Sequence, residues 1–223
     1  MQRQKLAAVF FAAVIVLGLA ASAGAVDGTI EINQATVLAA GGFPYGISNP
    51  GSYRLTGNLT VPSTTLDAID VKASYVTIDL NGFSIIGPND PIAGGNGISS
   101  FLPGPSATST TVENGTVTGF NIGVFVGPSS IVRNVHADGN SASGIRSLGN
   151  GSVFSGNTTS SGNNGIYCGG QACLISGNTV VGTTTGIVAN DATTGYGGNV
   201  LKNTTNVNGG TSLGNNLCSG VVC

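Results

Sequence analysis

Residues 164–190 read NGIYCGGQACLISGNTVVGTTTGIVAN, one repeat unit and the start of the next. Gly165-Ile166 returns as Gly186-Ile187, and the same pair precedes it as Gly144-Ile145 and Gly123-Val124, each step being 21 residues. Behind each pair an Asn closes a second short apolar run, at Asn134, Asn157, Asn178 and Asn199. Between them lie Gly, Ser, Thr and Asn with almost no charge. Short apolar pulses without helical spacing, repeating near every 20 residues, predict a solenoid. The fold class is all-β, a right-handed parallel β-helix of about eight coils.

Working outward, residues 67–86 carry the same pattern in a clearer form. Ile69 and Val71, then Val76, Ile78 and Leu80, alternate at period two. Asn81-Gly82 and Asn114-Gly115 each separate two apolar runs, and both are read as corners between sheets of one coil rather than hairpin turns. Asn81, Asn114, Asn134, Asn157, Asn178 and Asn199 are therefore expected to form a structural ladder. Stacked corners bring the same side chain back every ~4.8 Å, and an amide donates to one neighbour while accepting from another.

The period breaks between Gly87 and Pro105, which hold Pro88, Pro91, Pro103 and Pro105. Residues 26–50 are expected to cap the stack, with a strand over 30–38, and residues 207–223 to form a final partial coil. One domain accounts for residues 26–223.

Residues 1–25 read as a secretory signal. Arg3 and Lys5 precede an apolar run from Leu6 to Leu19, and Ala21, Ala23 and Ala25 offer small-residue cleavage sites. That run is shorter than the ~20 residues of a spanning helix. A secreted or periplasmic chain is expected, without a lipoprotein anchor or membrane span. Past the signal, five basic residues face nine acidic ones, so a nucleic-acid partner is not expected. Cys168 and Cys173 are five apart, as are Cys218 and Cys223. In an exported chain the local pairings Cys168–Cys173 and Cys218–Cys223 are preferred to a four-thiolate zinc site.

Residues 50–59 (PGSYRLTGNL) and 76–83 (VTIDLNGF) resemble the opening of exported bacterial right-handed parallel β-helix proteins. Gly165 to Tyr167 and Leu174 to Thr179 resemble repeats of the pectin-lyase-like superfamily and of periplasmic copper-maturation proteins. The resemblance spans most of residues 48–205. It implies the fold, and it includes lyases, hydrolases, epimerases and chains without known chemistry, so fold does not carry function.

In that superfamily saccharide lies along the outer face of one sheet. If Val124, Ile145 and Ile166 point inward, alternation sets Phe125, Arg146 and Tyr167 outward in one column. Aromatic faces suit sugars and Arg suits a carboxylate, which makes these three the glycan-binding candidates. Stacked aromatic side chains also stabilise sheets without binding anything. A second polar cluster, Arg133, His136 and Asp138, is weaker, because His136 falls at a rung position shared with Phe83, Thr116, Thr159, Val180 and Leu201.

A lyase would need a base and a calcium site, and a hydrolase would need two carboxylates about 5–10 Å apart. Asp67, Asp70 and Asp79 form no familiar motif of either kind, so no catalytic residue, metal or other cofactor is assigned. The expected function is a monomeric, non-catalytic exported β-helix that binds polysaccharide. A polysaccharide lyase or glycoside hydrolase and a structural envelope protein are the alternatives.

Overall fold

A computed structural model describes residues 28–90, 94–101 and 106–223. Residues 1–25, expected from the sequence to be a secretory signal, and Pro91, Pro103 and Pro105 lie outside the described residues. The rest is an all-β stack of parallel coils, a β-solenoid of about nine turns with a repeat near 21 residues. One strand of each coil joins an eight-stranded sheet that runs from Tyr45–Ile47 to Thr205–Gly209. The remaining strands form a sixteen-stranded sheet that bends at the Asn corners. Thr111–Thr118 and Ile131–Asp138 pass through that bend unbroken, whereas the next coil divides there into Val153–Ser155 and Thr158–Ser160.

The inner columns come directly from the period-two alternation. Ile69, Ile98, Val124, Ile145, Ile166 and Ile187 lie in register on the eight-stranded sheet, all fully buried. Ile78, Val112, Val132, Phe154 and Ile175 do the same opposite them. Each such side chain contributes roughly 1.5–3 kcal/mol of transfer free energy, and β-branched residues suit the pleat. The glycines before Ile98 and Ile166 have a packing reason. A Cβ on Gly165 would meet Val180 Cγ1 at 2.2 Å, and one on Gly97 would meet Val117 Cγ1 at the same distance. The opposing sheets approach too closely there for any side chain.

Asn81 and Asn114 take left-handed backbone, φ 51° and 61°, and turn the chain without reversing it. Ser84–Ile86 pairs in parallel with residues 116–118, so these Asn-Gly steps are corners and not hairpins. Cys168–Cys173 and Cys218–Cys223 are both formed. The first lies in the core, where it ties the end of one strand to the start of the next.

The N-terminal segment differs from expectation in one element. Ile30–Ile32 is a strand paired with residues 53–55, but Gln34–Ala39 is a helix, capped by Asn33. Thr36 N donates to Asn33 Oδ1 and Asn33 N donates to Thr36 Oγ1, a reciprocal cap that three weakly alternating residues did not reveal. The strand Ile30–Ile32 stacks on Gly51–Leu55 as part of a solenoid of about nine turns, in keeping with the roughly eight coils expected.

Candidate functional site

The outward column of the eight-stranded sheet runs Gly46, Asp70, Ser99, Phe125, Arg146, Tyr167, Val188, Asn208 in strict register. Its centre is a stack. The Arg146 guanidinium lies 5.4 Å from the Phe125 ring centroid and 4.8 Å from that of Tyr167. Phe101, from the loop that follows Asn96–Ser99, stacks on Phe125 at 4.8 Å and 24°. Asn190 Nδ2 donates to the Tyr167 hydroxyl at 2.8 Å and fixes that ring. The three candidate residues are thus brought together, with Phe101 and Asn190 as members that the sequence left unremarked in loops.

This stack changes how the column can recognise a ligand. Phe125 has Phe101 and Arg146 against it, so its ring is already occupied and has no open face to lay on a sugar. What the stack offers is a pre-oriented guanidinium. Arg54 pairs with Asp79 at 3.4 Å and Arg133 with Glu113, but Arg146 has no carboxylate partner among the described residues. Its Nε is buried without a hydrogen bond, as expected for a guanidinium lying flat between two rings. A fixed, unpaired planar fork is suited to a carboxylate.

Asp70 stands in the same column, three rungs from Arg146. Burial pushes its carboxyl up to about 6, helped by the charge of Asp67 and a hydrogen bond with it and opposed by Lys72. Asp67 in turn accepts from Asn96 N at 2.6 Å. Carboxyls in hydrogen-bond contact are closer than the ~5–10 Å that glycoside hydrolysis requires. Among the described residues no three of His, Cys, Asp and Glu converge as ligands for a metal ion such as the calcium of the lyase alternative.

Arg133, His136 and Asp138 are not brought together as a site. Arg133 turns to Glu113, and Asp138 accepts from the Ser160 hydroxyl. His136 is exposed, and its rung neighbours are Thr116 and Thr158, followed by Thr179 and Val200. The expected neighbours Thr159, Val180 and Leu201 belong to the buried column beside it. Asn134 and Asn157 are not equivalent, because Val135 and not Asn134 meets Asn157. The one-residue offset moves every position to the other face.

The expected six-membered Asn ladder therefore divides. Asn81, Asn114 and Asn134 are outer corners with positive φ, and Asn134 Nδ2 reaches Asn114 Oδ1 at 3.4 Å. Asn157, Asn178 and Asn199 form a buried chain of amides, each Nδ2 donating to the next Oδ1 at 3.0 Å, and Asn216 ends it. No protein-family model, curated protein or solved structure matches the chain.

Proposed function

We propose that the chain is an exported, non-catalytic β-helix protein that binds an acidic polysaccharide along the outer face of its eight-stranded sheet. The observation that carries this is Arg146, held between Phe125 and Tyr167 and lacking, among the described residues, the carboxylate partner that Arg54 and Arg133 have. A uronate carboxylate supplies that partner bidentately, and the sheet's flat face admits a chain running along the axis. Two disulfides fit an oxidising compartment, and among the described residues no helix is long and apolar enough to cross a membrane. Kinship with the β-helix proteins resembled by residues 50–59 and 76–83 is part of the same proposal.

The test compares Arg146→Lys with Arg133→Ala for binding to polygalacturonate. Lysine keeps the charge at 146 but loses the planar fork. The proposal expects weaker binding for Arg146→Lys and none of that loss for Arg133→Ala, whose arginine is engaged with Glu113. Equal binding by both variants would remove Arg146 from the site.

A further inference from the structure

Arg146 is enclosed on three sides. Phe125 and Tyr167 stand two rungs apart, about 10 Å at the usual strand spacing, and flank its strand in register. The guanidinium lies over both rings, 5.4 Å from one centroid and 4.8 Å from the other. Its Nε is buried without a hydrogen bond, so the side of the fork that carries Nε is closed to a ligand as well. What remains is the outer edge, where Nη1 and Nη2 have no carboxylate partner among the described residues.

The walls of this slot are themselves held. Phe101 stacks on Phe125 at 4.8 Å, on a ring that also carries the guanidinium. The Tyr167 hydroxyl accepts from Asn190 Nδ2 at 2.8 Å. Asn190 is anchored in turn, because its backbone N donates to the carbonyl of Cys168 at 3.0 Å, next to the Cys168–Cys173 disulfide. Neither ring is free to swing aside for a thicker ligand, so the slot is shaped before anything enters it.

We infer that this slot selects a planar carboxylate over a tetrahedral sulfate or phosphate, an inference that rests on the acidic-glycan binding proposed above. A carboxylate that enters end-on lies in the plane of the guanidinium and sets one oxygen on each Nη. It presents nothing to the rings on either side. A sugar sulfate in the same pose also reaches both Nη groups, but its third oxygen and its ester oxygen project out of that plane, towards the rings. Aromatic faces are negative and offer no hydrogen-bond donor. An anionic oxygen placed there gives up water and gains no partner. The ligand class is therefore a uronate and not a sulfated or phosphorylated glycan.

The test compares affinities for polygalacturonate and for a dextran sulfate of matched charge per sugar, at one ionic strength. Wild type is expected to favour polygalacturonate by about tenfold or more. Tyr167→Ala removes one wall and Asn190→Ala, at an exposed position, loosens it. Both variants are expected to keep the circular dichroism of wild type and to lower that preference severalfold, chiefly by binding the sulfate better. Arg146→Lys is expected to bind polygalacturonate more weakly and to lose the preference, since an ammonium is a point charge. A wild type that binds both polymers alike, or a preference that Tyr167→Ala and Asn190→Ala leave intact, overturns the inference while acidic-glycan binding stands. Binding of neither polymer overturns both.

Discussion

The side-chain amide of Asn178 completes the backbone at the corner beside Asn157. Its Oδ1 accepts from Asn157 N at 2.9 Å, while its Nδ2 donates to the carbonyl of Phe154, three residues earlier in the same coil, also at 2.9 Å. The relation recurs along the stack. Asn157 serves Val135 and Val132, Asn199 serves Asn178 and Ile175, and Asn140 serves Phe120 and Val117. Where a coil turns, a backbone N–H and C=O leave the sheet ladder, and the Asn of the next coil supplies one acceptor and one donor for them. An amide holds its acceptor and its donor on separate atoms, so one Asn serves both groups at once.

Asn178→Ala should accordingly destabilise the fold by about 3 kcal/mol or more, since it strands several buried groups at ~1–3 kcal/mol each. Asn134→Ala, at an exposed corner, should cost only the left-handed backbone preference, about 1 kcal/mol. Urea denaturation of the two variants measures both. Similar losses would show that the buried amides do not close the corners.

Gly165→Ala should be costly, by about 1–3 kcal/mol, because the new methyl meets Val180 Cγ1 and the Gly186 carbonyl oxygen, the latter at 2.7 Å. Gly182 has open space around its Cβ position and φ +69°, a conformation Asn tolerates, so Gly182→Asn should be nearly neutral. Thermal melts of the pair separate the close-packing requirement from a general intolerance of glycine loss.

Much of this fold was legible because its repeat is nearly constant. Gly123, Gly144, Gly165 and Gly186 keep one step, and the inner column Val124–Ile145–Ile166–Ile187 and the outer column Phe125–Arg146–Tyr167 follow from it. The reading failed where the step changed. Asn134 and Asn157 look equivalent in sequence at 23 residues apart, but the strands pair with an offset of 22, which gives His136 other neighbours than the repeat suggests. That Asp70 shares the column with Arg146 does not follow from a 21-residue step, because Ile69 to Ile98 and Ile98 to Val124 are longer coils. Phe101 and Asn190 lie in loops, where alternation assigns no direction. Asn216 falls off the repeat as well, following Asn199 by only 17 residues in a shortened last coil.

Asp70 predicts a pH dependence. Its carboxyl is raised by burial from an ordinary 3.8 to about 6, so the folded chain holds this proton more tightly than the unfolded one. That contribution to stability is complete below about pH 4 and is lost as pH rises to about 6. Wild type should lose roughly 1–2 kcal/mol across this window after allowance for solvent screening. Asp70→Asn should flatten the profile. An unchanged slope in Asp70→Asn would assign the titration elsewhere.

The most direct test of the glycan-binding account is retention of the purified protein on immobilised polygalacturonate and on a neutral glucan. Each is run with and without calcium and assayed for new unsaturated or reducing ends. The account predicts retention on the uronate polymer alone, release by salt, no new ends, and affinity weakened about tenfold or more by Arg146→Ala. Retention on neither polymer, or retention that Arg146→Ala leaves unchanged, would contradict it.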